Sequence, residues 1–247
     1  MNIRYINRTD IIVFAVSILN LIIMALNTSL DSVIPFYLGN VIALASLIYW
    51  GISKDVTKFL VRSLIMGGMV GVLYTFLDNL LAEVSIVNYL RSEDIKLLST
   101  PISVVLFWIF LITTMLYLYH RLRSSFSRFI IPSLITGSTA FLYSLVLFYL
   151  GDISRQWVWS VRNPQTGGDL VSIGPIPLYI PLALFITFFS SPYIVGIPGA
   201  PKPDKSGFFA SYFKVSSNPL SGGIRCTIVL SISLYGLFQL FSRSGHI

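Results

Sequence analysis

The sequence predicts an all-α polytopic membrane protein: a seven-helix bundle, N-terminus inside and C-terminus outside, in a single membrane domain over residues 1–247. Three observations predict it. Hydrophobic residues make up 55% of the chain and charged residues 11%, against roughly 25% charged in a soluble domain. Seven apolar stretches approach the about 20 residues a helix needs to cross a hydrocarbon core about 30 Å thick. The basic residues gather on alternate connections, as the positive-inside rule requires.

Helix 1 is expected over 11–27. Arg4 and Arg8 precede it, as in the charged region of a signal peptide. Its apolar stretch, however, is longer than the roughly 7–15 residues of a signal peptide and no A-x-A site follows, so it reads as a retained helix. Helix 2 is expected over 33–52, helix 4 over 101–119 and helix 6 over 174–195. They open Asp31-Ser-Val-Ile-Pro35, Ser99-Thr-Pro101 and Ser172-Ile-Gly-Pro-Ile-Pro177. A cap residue followed by proline in the first turn is a helix-start signal. These three starts share the outer side, where their positive dipole ends could attract an anion or a polar lipid end, or serve only as ordinary helix starts.

Helix 3 is expected over 60–84, helix 5 over 129–150 and helix 7 over 225–242. Helices 3 and 5 echo one another. Helix 3 begins Ser63-Leu-Ile-Met-Gly67 and reaches Leu73-Tyr74; helix 5 begins Ser133-Leu-Ile-Thr-Gly137 and reaches Leu142-Tyr143, one residue sooner. The echo suggests a duplicated two-helix unit, 3–4 and 5–6, with both copies in one orientation, unlike the inverted repeats of many transporters. Three connections are longer than minimal: 85–100, 151–173 and the Gly-, Pro-, Ser- and Lys-rich 196–224. The last reads as a linker near anionic headgroups. Its Ser221-Gly-Gly223 lacks the spacing of a P-loop.

With the N-terminus inside, Arg4, Arg8, Lys54, Lys58, Arg62, Arg121, Arg123, Arg128, Lys202, Lys205, Lys214 and Arg225 lie on the inner side, 12 of the 17 basic residues. Membrane orientation therefore accounts for the net charge of +7 without nucleic acid. The single cysteine, Cys226, excludes an internal disulfide and leaves the compartment, and so the particular membrane, undetermined. The two histidines, His120 and His246, are not placed for a buried metal or haem, which needs several convergent ligands. No metal and no cofactor is expected. His120 reads as a polar end of helix 4 at the membrane boundary.

Asp78 is the acidic residue farthest from the end of any expected span. A carboxylate in hydrocarbon costs about 2.5–3.5 kcal/mol or more, so it faces a protein interior or a wet cavity and marks a functional site by default. Helical spacing puts Gly67, Gly71, Tyr74, Thr75, Asp78 and Ala82 on one face. Gly67 and Gly71 form a G-x-x-x-G pair that admits a neighbouring backbone, so this face turns inward and carries Asp78 with it. Glu83 is a second candidate acid, but it lies about 140° round the helix from Asp78, and an interfacial position suits it equally. Asn79 could hydrogen-bond a substrate or another helix. Asp78 could equally be a structural anchor bonded to Asn20, Asn40 or a tyrosine.

Apolar surroundings favour a neutral carboxyl group, which can donate a proton to an alkene or shuttle one. Aromatic faces stabilise cations, so Tyr74, Trp108, Trp157 and Trp159 are candidate walls of a substrate pocket. As tryptophans, the last three, with Trp50, also suit interface anchors; Trp108 fits that role least, being well inside helix 4.

Pro101-Ile-Ser-Val-Val-Leu-Phe-Trp108 and Pro177-Leu-Tyr-Ile-Pro181-Leu-Ala-Leu184 resemble the proline-led P-L-x-x-P-L-A-W helix starts of integral-membrane carotenoid hydratases of the bisanhydrobacterioruberin hydratase type. Pro101 and Trp108 match the ends of that motif; Pro177, Pro181 and Ala183 match in helix 6, where Leu184 replaces the tryptophan. The glycine-rich and tyrosine motif of that family is missing after helix 3. The resemblance implies water addition to a terminal isoprenoid double bond, with an acid in the preceding helix, a place Asp78 fills.

The leading expectation is a membrane-embedded enzyme acting on a long apolar isoprenoid or carotenoid-like substrate by acid-assisted addition or cyclisation. Asp78 is its candidate acid and Glu83 a second; Tyr74, Asn79, Trp108, Trp157 and Trp159 are its candidate binding residues. Its partners are then the bilayer and the apolar substrate. A non-catalytic subunit, with a membrane-protein partner, is the alternative; a transporter or proton pathway is the third.

Overall fold

A helix that is apolar all round belongs at the centre of a bundle, and the stretch after Pro101 is apolar on every face. The computed structural model describes residues 6–30, 32–91, 93–126, 128–164, 167–196 and 218–244. In it the central helix is α4 (Ile102–Arg123), whose membrane window is 78% buried, against 28–44% for the other long helices. Around it stand α1 (Arg8–Asn27), α2 (Ile34–Ser53), α3 (Phe59–Glu83), α5 (Ile130–Ile153), α6 (Tyr179–Phe189), α7 (Ser191–Val195) and α8 (Pro219–Ser244). Among the described residues six helices are long and apolar enough to cross a membrane.

Glycines set the closest helix contacts. A Cβ on Gly67 would run into Thr113 Oγ1 and the Ile109 carbonyl of α4, and one on Gly71 into the Ile109 side chain. The G-x-x-x-G face therefore packs on α4 as its spacing predicts. Gly222 and Gly223 do the same for α8, lying against Met66 and Met69 of α3. Ser221-Gly-Gly223, expected in a linker, is thus part of a helix. Polar contacts tie α1 to the bundle at two levels. Asn20 donates to Asn40 of α2 over 3.1 Å, and Asp10 accepts from Tyr117 and Arg121 of α4 over 2.7 Å each.

The connections that follow α3 and α5 are built alike. Two residues past the end of each helix stands a residue of positive φ, Ser85 (58°) or Arg155 (55°). A three-residue strand follows: β1 (Val87–Tyr89) in one, β4 (Trp157–Trp159) in the other. Next comes a tight hairpin, β2 (Lys96–Leu97) with β3 (Thr100–Pro101), or β5 (Ser172–Ile173) with β6 (Ile176–Pro177). Its turn holds Leu98 or Gly174, both at φ 59°. The following helix then starts with the same bond, Ile102 N to Ile95 O or Leu178 N to Val171 O, both 2.8 Å. Gly137 abuts Phe185 and Phe189 of α6 much as Gly67 abuts Ile109 and Thr113 of α4. The echo between helices 3 and 5 thus extends into backbone geometry. The copies join across β1 and β4, which pair antiparallel with Asn88 opposite Val158.

Several expectations are corrected. The stretch 174–195 is not one helix: its first residues form the turn and second strand of the β5–β6 hairpin, and α6 breaks at Ser190 before Pro192. Proline has no N–H to continue the ladder. The starts of α2, α4 and α6 carry no side-chain cap; Asp31 lies outside the described residues, and the hydroxyls of Ser99 and Thr100 bond Asn79 and Asp78 instead. His120 is buried and stacks on Phe59 at 4.9 Å rather than facing the boundary. His246, Lys202, Lys205 and Lys214 lie outside the described residues.

Candidate functional site

Asp78 lies one helical turn beyond Tyr74 on the inward face of α3, and both are fully buried. Its Oδ2 accepts two hydroxyl bonds of 2.6 Å, one from Tyr89 at the end of β1 and one from Thr100 at the start of β3. Its Oδ1 has no hydrogen-bond partner among the described residues. The hairpin after α3 brings Thr100 back over the end of that helix, and the β1–β4 ribbon holds Tyr89 beside it. Burial first, then the neighbouring Asp78 carboxyl, push the Tyr89 phenol well above its ordinary range. It is therefore a lasting donor to Asp78.

A wall of aromatic rings flanks this group. Tyr74 lies 4.3 Å from Trp108 between ring centres. Phe107 contacts Trp108 and Trp157, and Phe148 contacts Trp108, Trp157 and Trp159, all within 5.4–6.1 Å. Trp108, Trp157 and Trp159 are 2%, 2% and 6% exposed, so they are core residues and not interface anchors. Trp50 alone of the four stays half-buried, donating to Thr9 over 3.1 Å. Gly151 makes room for Trp157, whose indole lies where a Cβ would be.

Four more buried polar atoms in this region lack partners among the described residues: the hydroxyls of Tyr74 and Tyr179 and the indole nitrogens of Trp157 and Trp159. Buried polar groups are normally bonded, so such a concentration marks a place suited to a small polar guest. The cavity bordered by Tyr89, Trp108, Phe148, Trp157 and Trp159 measures about 10 Å³, room for about one water molecule.

The sequence-predicted residues separate into two groups. Tyr74, Asp78, Trp108, Trp157 and Trp159 come together. Glu83 and Asn79 do not join them. Glu83 is exposed, and Asn79 donates to it over 2.6 Å while accepting from Ser99 N and Oγ. This network ties the end of α3 to the β2–β3 hairpin, and the 140° offset from Asp78 accounts for it. Among the described residues no group of three or more His, Cys, Asp or Glu could hold a metal ion.

Tyr89, Thr100, Phe148 and Tyr179 belong to the site and were not singled out in the sequence. The repeat held a signal for one of them: Phe148 stands as far beyond Gly137 as Asp78 stands beyond Gly67, so the second copy puts a ring where the first puts the acid. In the same way Trp159 ends its strand where Tyr89 ends the other. No protein-family model, curated protein or solved structure matches this chain.

Proposed function

We propose that this chain is a membrane-embedded enzyme in which Asp78 is the acid in addition to, or cyclisation of, a double bond in a long apolar isoprenoid. The observation that carries the reading is the asymmetry of the carboxyl group. Two hydroxyls hold Oδ2, whereas Oδ1 is buried and meets no donor among the described residues. In the proposed step the Oδ1–H bond breaks and its proton forms a C–H bond at one alkene carbon. The other carbon becomes a cation, which the rings of Tyr74 and Trp108 stabilise. A water oxygen or a second double bond closes the cation, and the proton released returns to Asp78. The reading places seven crossings in the membrane, Tyr179–Val195 forming the sixth as a broken helix, with the N-terminus inside.

The test is turnover in D₂O. Purified protein in vesicles is incubated with acyclic polyprenoids and the products are weighed. Wild type should give a product carrying one carbon-bound deuterium, and Asp78→Asn none. Turnover surviving in the Asn variant removes Asp78 as the acid. The small cavity favours a second reading, a non-catalytic subunit in which Asp78 only binds the ribbon to α3. A stoichiometric protein partner co-purifying from native membranes, with no turnover, would favour it.

A further inference from the structure

A wide cleft lies at the other end of the bundle from Asp78. It runs between α1, α4 and α5 and has a volume of about 610 Å³, within the about 300–1,000 Å³ of ordinary ligand sites. It exists because α1 packs chiefly on α2 and meets α5 sparsely, leaving a furrow on the membrane face. Its walls are hydrocarbon even where the residues are polar. Ser17 and Thr114 turn their hydroxyls to backbone carbonyls of their own helices, and the Tyr143 hydroxyl is spent on the Ser17 carbonyl.

Polarity is confined to one end of the furrow, where Asp10 accepts from both Tyr117 and Arg121. That end of the bundle is basic. Arg8, Lys54, Lys58, Arg62, Arg121, Arg123 and Arg128 stand there, opposed among the described residues only by Asp10 and Asp55. A site with a long hydrocarbon wall and a basic mouth at the headgroup level complements an anionic amphiphile. Clusters of basic residues at that level draw anionic headgroups.

We propose that this furrow holds one acyl chain of an anionic phospholipid, its phosphate at the basic mouth beside Arg121. The inference stands apart from the Asp78 reading, since it rests on different helices and the opposite end of the bundle. The occupant lies along α1 and fills the gap to α5, so it completes the packing of the first helix.

The experiment is native mass spectrometry of the detergent-purified full chain after adding phosphatidylglycerol or phosphatidylcholine of identical chains. One phosphatidylglycerol should be retained with about a tenfold preference, the effect of roughly one to two basic residues. Thr139→Trp, which fills the furrow from a half-buried position, should abolish retention. Leu142→Trp, on the exposed face of α5 outside the furrow, should preserve it. Arg8→Gln with Arg123→Gln should erase the headgroup preference, and this holds as a test even if the tryptophan variant misfolds. Equal retention of the two lipids, or unchanged retention in a folded Thr139→Trp protein, overturns the proposal. Tighter retention of a prenyl phosphate than of phosphatidylglycerol overturns the choice of phospholipid.

Discussion

Tyr89 donates its phenol hydrogen to Oδ2 of Asp78 over 2.6 Å, and this bond links the acid of α3 to the ribbon that joins the two copies of the repeat. Together with the Thr100 bond it means that Asp78 is both a structural knot and the candidate acid. The two roles respond differently to substitution. Asp78→Asn keeps the shape and can still accept both hydroxyls, so the melting temperature should change little while turnover is lost. Asp78→Leu leaves the Tyr89 and Thr100 hydroxyls unpaired and should destabilise by about 1–3 kcal/mol. Thermal melts in detergent alongside product assays separate the two effects. Equal destabilisation by both variants would contradict the assignment of the bonds.

Alkaline stability should report the same pair. The unfolded tyrosine ionises near pH 10, and burial beside Asp78 raises the Tyr89 phenol above that in the folded protein. The contribution is fully present below about pH 10 and is lost as pH rises toward the folded value, at about 1.4 kcal/mol per pH unit for one proton. Melting temperatures measured from pH 8 to 11 should fall less steeply in Tyr89→Phe than in wild type. Identical slopes would mean that Tyr89 is not held in this environment.

The ribbon register gives a covalent test. Asn88 and Val158 are Cα partners in the antiparallel pair. Such partners lie about 4.5–5.5 Å apart, inside the range a disulfide spans. Asn88→Cys with Val158→Cys should cross-link under mild oxidation in native membranes, whereas Cys226 is buried and should stay reduced. A failure to cross-link, with both cysteines reactive to a soluble thiol reagent, would show that the two connections do not meet.

The glycine face of α3 predicts a contrast within one helix. Gly71 touches Ile109, while Gly68 has open space where its Cβ would be. Gly71→Leu must push α3 from α4 and should cost about 1–3 kcal/mol, as overpacking does. Gly68→Leu should be neutral or gain up to about 1 kcal/mol from helix propensity. Equal melting temperatures for the two variants would place that face of α3 against lipid.

The sequence by itself determined six helices long and apolar enough to cross a membrane, the inward face of α3 and the presence of Asp78 on it. These follow from composition and from the 3.6-residue period, which act within one segment. Gly67, Gly71, Tyr74, Thr75 and Asp78 are buried together as that period requires. Tertiary structure alone decided what meets Asp78. Tyr89 and Thr100 reach it through positive-φ turns and a hairpin, and Trp157 and Trp159 arrive by strand pairing from a connection far along the chain. Such register is set by backbone bonds between distant segments, which leave no periodic trace in either one. The same cause misled the reading of the tryptophans: a tryptophan near a helix end looks like an interface anchor until a ribbon folds over it. Likewise the break at Ser190 lies within a stretch whose average hydropathy stays high across Ser190, Ser191 and Pro192, so a hydropathy window passes over it, whereas the missing N–H of Pro192 ends the helix there.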